Sequence, residues 1–360
     1  MKTLLITLEY PPHRGGVANY YGNLSKHWPL EGKIEVLDNS RQELLTKSRF
    51  SWLKTVFTLR RRLQRAKIDF VLVGQILPLG TAAYLLSLFQ PFRYGVFLHG
   101  LDFSLATQSA WKRFLTRQIL KRADKILACN RYVKQQVSEF LPTSATKLRV
   151  FNPGITTSAP LVSSQELAKL DEKYQLADKL VLFSLGRLVK RKGVDQVIAA
   201  LNYLPREKLN QLVYFVAGHG PEEQYLKKLV PLELARKIIF LGAISESEKW
   251  TWLKRCDILV MPARELVGDY EGFGIVYLEA NLVAKPVIAG DSGGVRDAVV
   301  PEETGLLVDP EKVEDLAAAI IRLAEDKDLR ERLGRAGQKR AITEFNWEKQ
   351  ARDLYKFIKN

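Results

Sequence analysis

Short apolar runs alternate with longer amphipathic stretches along the chain. In the first half the pattern predicts strands over Leu4–Leu8, Ile34–Leu37, Phe70–Val73, Tyr94–Leu98, Lys125–Ala128 and Leu148–Phe151. The second half repeats it at Leu180–Leu185, Leu212–Ala217, Ile238–Leu241, Ile258–Met261, Pro286–Ala289 and Gly305–Val308. Strands separated by helical segments argue for parallel sheets covered by helices on both faces. Two such series predict an α/β protein of two doubly wound domains, and 360 residues suffice for both cores. The boundary is predicted near Asn152-Pro153-Gly154, followed by the small, polar Thr156–Ser164. A last helix is expected from Trp347 to Asn360.

Residues 70–92 carry no charge, which raises the question of a membrane span. Gly74, Pro78, Gly80 and Pro91 break the stretch, so it parses as a strand, a loop and a helix over Thr81–Phe89. The opening MKTLLITLEYPP reads as a first strand rather than a signal segment. Cys129 and Cys256 are too few and too isolated for a disulfide framework or a zinc site, which points to a reducing cytoplasm.

Charge divides the chain. Residues 1–150 hold 24 Lys+Arg against 9 Asp+Glu, whereas residues 151–360 hold 31 of each. The whole net charge of +15 therefore sits in the first half, which calls for an anionic partner there. Two stretches interleave cations with aromatics. Lys47–Lys67 includes Phe50, Trp52, Lys54, Phe57, Arg60, Arg61, Arg62 and Arg65. The second begins Trp111-Lys112-Arg113-Phe114 and continues to Arg117, Lys121 and Arg122. Both suit an anionic bilayer surface, although an ordinary helix, apolar inside and basic outside, would have the same composition.

The candidate chemistry sits just after predicted strands, at the ends where open parallel sheets bind ligands. Glu271-Gly272-Phe273-Gly274-Ile275-Val276-Tyr277-Leu278-Glu279 follows one strand and opens a predicted helix over Val276 to Asn281. Its free N–H groups favour an anion, and carboxylates on either side can accept hydrogen bonds from hydroxyls. A phosphate flanked by polyhydroxyl groups, as in a nucleotide-diphosphate sugar, fits. Gly186-Arg187-Leu188-Val189-Lys190-Arg191-Lys192-Gly193 offers a planar fork and a point charge to a diphosphate. Gly15-Gly16 allows close approach of a ligand to the backbone, and it is not a dinucleotide fingerprint. His99-Gly100-Leu101-Asp102 follows a further strand. Gly218-His219-Gly220-Pro221-Glu222 and Gly242-Ala243-Ile244-Ser245 could border a base or merely turn the chain. No acidic pair on these loops suits a divalent cation, so neither a metal nor a cofactor is expected.

These motifs, taken together and in this order, resemble the retaining glycosyltransferases of family 4, which have the GT-B fold. The run Glu271 to Glu279 matches their E-x7-E motif. The resemblance covers nearly the whole chain and includes Ser292-Gly293-Gly294. It implies two Rossmann-like domains facing across a cleft: residues 1–155 on the acceptor side, with a C-terminal helix of about 346–360 packing back on them, and residues 165–345 holding the nucleotide sugar. It implies that Arg187 and Lys192 bind the donor phosphates, Glu279 the ribose and Glu271 the sugar hydroxyls. Backbone N–H groups of Phe273, Gly274, Ile275 and Val276 would hold sugar and diphosphate. Gly16 would lie near the diphosphate, His99 near the transferred sugar, and Gly242 and Ile244 at the base. Gly15 and Asp102 fall on the acceptor side. In style the motifs come closest to the phosphatidylinositol mannoside mannosyltransferases, which use GDP-mannose. The chain departs from the family pattern at Pro153 and at Asn130, where many members carry serine.

The expected function is transfer of a mannose or other hexose to a lipid-linked or other membrane glycan acceptor, without metal, on the inner face of the cytoplasmic membrane. A UDP-sugar donor is the alternative within the family. A sugar-nucleotide epimerase would leave the basic, aromatic patches unexplained, and a phosphorylase would need a pyridoxal lysine that nothing singles out. A nucleic-acid-binding protein should show a reader motif, and none is present. A non-catalytic scaffold would not need the donor constellation.

Overall fold

The computed structural model describes every residue except Arg14, residues 46–51, residues 143–145 and Ser158. Lys47 and Phe50 of the first basic stretch thus lie outside the described residues. The chain forms two units, Met1–Gly154 with Asn346–Asn360, and Ile155–Phe345.

In the first unit the strands are β1 (Lys2–Ile6), β2 (Lys33–Leu37), β3 (Phe70–Val73), β4 (Tyr94–Leu98), β5 (Lys125–Ala128) and β6 (Leu148–Val150). They pair in parallel in the order β2-β1-β3-β4-β5-β6. The second unit holds β7 (Leu180–Leu185), β8 (Leu212–Ala217), β9 (Ile238–Gly242), β10 (Ile258–Met261), β11 (Val287–Gly290) and β12 (Leu306–Val308). Their order is β12-β11-β10-β7-β8-β9, again all parallel. Helices cover both faces, so the inner strands are apolar throughout: β3, β8 and β10 are buried at every position.

Local chemistry explains where elements end. β1 stops at Ile6, two residues before the predicted end, because the Leu8 N–H donates to Gln75 Oε1 (3.0 Å) rather than to a neighbouring strand. β11 begins at Val287, one residue late, since Pro286 has no N–H to donate. Asn130 caps the Arg131–Phe140 helix by accepting from Val133 N (2.7 Å). Ser163 and Ser245 open their helices with capping boxes closed by Glu166 and Glu248. The uncharged stretch forms β3, a wide turn over Ile76–Gly80 and the Thr81–Phe89 helix. Among the described residues no helix is long and apolar enough to cross a membrane.

The C-terminal Trp347–Lys359 helix belongs to the first core, where Trp347, Leu354, Tyr355 and Ile358 are buried. Each contributes roughly 1.5–3 kcal/mol, an upper estimate from transfer energies. Trp347 meets Tyr20 edge-on and stacks on His27. At the seam of the second unit, Ile155 N donates to Phe345 O (2.6 Å), tying the segment's two ends together.

Each sheet has one place where strand order reverses. In the first unit it lies between β1 and β3, in the second between β7 and β10. Adjacent loops leave in opposite directions there and open a crevice at the strands' carboxyl ends.

Candidate functional site

At the second reversal, the loops after β7 and β10 bring together the charged residues that the sequence singles out. Glu271 is nearly buried and its Oε2 accepts from Lys192 Nζ (2.6 Å) and Arg191 Nη1 (2.7 Å). Arg191 also pairs through Nε with Asp269 (3.0 Å). Below them, buried Arg264 pairs with Asp195 (2.7 Å). Arg187 is exposed and makes no ion pair among the described residues. The two expected phosphate cations therefore differ: Arg187 is open to an anion, while Lys192 already holds a carboxylate with one of its three donors. The Ser292-Gly293-Gly294 turn closes against this loop, Gly294 N donating to Glu271 O (2.9 Å) and Ser292 Oγ to Ala263 O (2.7 Å).

The helix after this loop is Ile275–Leu282, slightly longer than predicted. Gly274 caps it at φ 78°, and a side chain there would overlap the Tyr277 ring. Tyr277 is in turn fixed by its hydroxyl, which donates to Met261 O (2.7 Å). With no acidic residue in its first turn, the helix keeps its N-terminal partial charge uncompensated. Glu279, one turn further on, accepts from Lys249 Nζ (2.7 Å).

The loops after β8 and β9 are mainly structural. A side chain at Gly218 (φ 132°) would overlap the Gly186 carbonyl, so the glycine lets these loops cross. His219 Nδ1 lies 2.8 Å from Glu223 Oε2, and Ala243 N donates to its Nε2 (3.2 Å). This ties the Gly242–Ile244 turn to the β8 loop. Gly242 itself is left-handed, with φ 71°.

At the first reversal the groups that bridge the strands are neutral. Gln75 Nε2 donates to Thr7 Oγ1 (3.2 Å) across β1 and β3. Tyr21 donates its hydroxyl proton to Gly74 O (2.8 Å), so its oxygen can only accept from His99 Nε2 at 2.7 Å. His99 is thus the Nε2–H tautomer, with a lone pair on Nδ1. Burial pushes its pKa down to about 3 and keeps it uncharged. Asp102 Oδ1 accepts from His99 N (2.9 Å), and Oδ2 is buried without a hydrogen-bond partner among the described residues. Burial raises the carboxyl to about 6, against the pull of the His99, Phe103, Gly100 and Ile76 N–H groups. Gly15 caps the Gly16–Lys26 helix, and among the described residues a Cβ on Gly16 would meet nothing within 4 Å beyond its own helix and chain neighbours.

The basic stretches form the Trp52–Arg65 and Ala110–Arg122 helices. On the first, Lys54, Arg60, Arg61 and Arg65 are exposed around Phe57 (68% exposed). Trp52 is half-buried, and Arg62 turns to Glu35 (2.9 Å) and Glu43 (3.7 Å), so neither is as free as its sequence setting implies. On the second, Trp111 (63% exposed) and Phe114 (67%) stand among Lys112, Arg113, Arg117 and Lys121.

Sequence reasoning missed Arg191 as a Glu271 partner, Lys249 as the Glu279 partner and Tyr21 as the His99 partner. Arg191 lay inside the recognised basic run and could have been found. Lys249 lies 30 residues from Glu279 and carried no local signal. Among the described residues no group of three or more His, Cys, Asp or Glu side chains could hold a metal ion.

Comparison with known proteins agrees with this arrangement. The family description "Glycosyltransferase Family 4" matches residues 14–159, and "Glycosyl transferases group 1" matches residues 168–340. A GDP-mannose-dependent alpha-(1-6)-phosphatidylinositol monomannoside mannosyltransferase of Mycobacterium tuberculosis is 27% identical over 99% of this chain and 98% of its own. Its namesake in Mycolicibacterium smegmatis is 28% identical over 96% of this chain and 94% of its own. Among solved structures, Anabaena HepE in complex with UDP superposes with a TM-score of 0.80 at 19% identity, covering all of both chains. A glycosyltransferase of Rickettsia africae gives 0.80 at 20% identity, over 99% of this chain and 97% of its own. With two parallel six-stranded sheets, paired motifs at the second reversal and both family descriptions satisfied, the chain belongs to the family 4 glycosyltransferases of GT-B fold and is a hexosyltransferase.

Proposed function

We propose that the chain transfers mannose from GDP-mannose, with retention of configuration, to a lipid-linked or other membrane glycan acceptor. The observation that carries the reading is the cluster at the second reversal. There the open Arg187, the Lys192–Glu271 pair and the uncompensated N-terminus of the Ile275–Leu282 helix, with Glu279 one turn along it, follow the adjoining strands β7 and β10. Arg187 and Lys192 take the diphosphate, Glu279 the ribose and Glu271 the sugar hydroxyls. The backbone N–H groups of Phe273, Gly274, Ile275 and Val276 take sugar and diphosphate oxygens, and Gly242 and Ile244 border the base. In the first unit Gly16 serves the diphosphate, His99 the sugar, and Gly15 and Asp102 the acceptor. The names of the mycobacterial relatives support the choice of GDP-mannose.

The chemistry needs the bond between the anomeric carbon and the diphosphate to break as the bond to the acceptor oxygen forms on the same face. The acceptor's proton passes to the departing phosphate oxygen. Charge growing on that phosphate is stabilised by Arg187, Lys192 and the helix N-terminus, fixed in place beforehand, so no metal is required. Neither Glu271 nor Glu279 is assigned a nucleophilic role, since Glu271 is held by two cations and Glu279 by one. Neutral His99 offers hydrogen bonding rather than charge. Trp111, Lys112 and Arg113, together with Lys54, Arg60 and Arg61, attract an anionic bilayer and place the enzyme peripherally on the cytoplasmic face. Trp52 and Arg62 have a smaller part in this.

A thermal-shift panel of GDP, UDP and ADP with their sugars tests the donor assignment. GDP and GDP-mannose are expected to raise the melting temperature most. A shift with UDP and its sugars alone would overturn the mannosyl reading in favour of a UDP-sugar enzyme of the same family.

A further inference from the structure

Lys249 lies on the Glu246–Arg255 helix, whose start is fixed by the Ser245–Glu248 capping box. That start fixes which residues of the helix face the Ile275–Leu282 helix. The Lys249 ammonium reaches Glu279 Oε1 at 2.7 Å and Glu246 Oε1 at 2.6 Å. Its side chain is only 14% exposed and that of Glu279 20%, so the pair is largely shielded from water, whereas Glu246 is open. Trp250 Nε1 donates to the same Glu246 oxygen (3.0 Å), which steadies the outer carboxylate. Burial works against the ammonium, but Glu279 and Glu246 outweigh it and hold the pKa above the ordinary lysine value. Lys249 thus stays charged at neutral pH. Glu279 Oε2 has no protein partner among the described residues.

A carboxylate that must accept from two neighbouring hydroxyls has to be held in one plane. Left alone it rotates about its terminal torsion, and ordering it would subtract from the binding of the diol. Lys249 takes one of the carboxylate's four lone-pair positions and leaves the others free.

We propose that Lys249 is a positioning residue for the donor: it locks Glu279 so that its remaining lone pairs meet the ribose 2′- and 3′-hydroxyls, and so sets the preference for a ribonucleotide. The inference rests on the assignment of Glu279 to the ribose.

The test measures binding of GDP and of 2′-deoxy-GDP to wild type, Lys249→Met, Lys249→Gln, Lys249→Arg and Glu279→Gln, together with melting temperatures and donor KM against kcat. A lysine that merely joined two helices would weaken both nucleotides alike when removed. The expected result is that Glu279→Gln abolishes the discrimination between the two nucleotides and that Lys249→Met or Lys249→Gln lowers it by about tenfold, the value of a hydrogen bond to a charged group. Their donor KM rises, kcat changes little, and Lys249→Arg restores most of the discrimination. If Glu279→Gln abolishes discrimination while both uncharged Lys249 variants retain it in full, positioning by Lys249 is overturned and the ribose assignment stands. If Glu279→Gln itself leaves discrimination unchanged, the ribose assignment fails and the proposal falls with it. The Gln variant keeps the test decisive should the Met variant not fold.

Discussion

The two sheet reversals obey one topological rule and solve opposite electrostatic problems. The half of the chain that carries all the excess positive charge sets mostly neutral groups at its reversal point, Thr7, Gln75, Tyr21 and an uncharged His99, beside the carboxyl of Asp102. The half with balanced charge gathers ions at its own: Lys192, Arg191, Glu271, Asp269, Arg264 and Asp195. Net charge therefore describes the outside of the first unit, on the Trp52–Arg65 and Ala110–Arg122 helices, and says nothing of its interior. In the second unit a near-even balance, 27 Lys+Arg against 29 Asp+Glu over residues 155–345, conceals a concentrated cluster of opposite charges. Composition locates a partner surface, and only position locates a site.

The sharpest way to break this contrast is Lys192→Ala. It removes a nearly buried cation and leaves Glu271 to Arg191, so kcat/KM for donor is expected to fall by about 100-fold, the loss of strong charge-assisted hydrogen bonds. Unchanged kinetics in Lys192→Ala and Arg187→Ala would remove the phosphate assignment, and the second reversal would be only a structural ion network. Gly274→Ala tests whether the helix start depends on backbone geometry. Its left-handed φ and the Tyr277 ring predict a loss of about 1–3 kcal/mol in denaturant unfolding.

The neutral reversal can be probed through pH. Buried His99, with its pKa lowered to about 3, makes stability fall as pH drops below about 6.5, because the unfolded chain takes up a proton that the folded one refuses. Asp102, raised to about 6, acts in the other sense: its contribution is fully present below its unfolded value near 4 and is lost as pH rises through 6. Between pH 4 and 6 the two largely offset. Asp102→Asn should therefore add up to about 1.4 kcal/mol per pH unit to the slope of stability in that window, read by urea unfolding at several pH values. An unchanged slope would mean that the two groups do not titrate as their burial requires. The smallest effect is expected at the outer surface. Trp111→Ala with Phe114→Ala should lower flotation with anionic liposomes by several-fold, and equal recovery with neutral and anionic lipid would remove the electrostatic argument for the first half.

Much of the fold was readable because parallel strands buried on both faces leave unbroken apolar runs. β3, β4, β5, β7, β8 and β10 span the predicted residues. Ends were harder wherever a side chain decided them, as Gln75 does at β1. The candidate residues of the second unit stood out because glycines and charges crowd at strand ends. Their pairing was not, since Lys249 and Glu279 meet only when two helices pack. The exposure of Trp111 and the partial burial of Trp52 were equally invisible, because a basic amphipathic pattern fixes which face is polar and not how far an aromatic at its edge turns inward.

The bond from Ile155 N to Phe345 O has a consequence for how such proteins can be rearranged. The second unit enters and leaves its own fold at neighbouring points, and the chain then resumes the first unit with the helix that completes its core. In connectivity the second unit is an insertion into the first. An insertion with adjacent ends can be exchanged as a cassette between relatives without rethreading the host, so the second unit can be replaced while the first keeps its own sequence and its own surface.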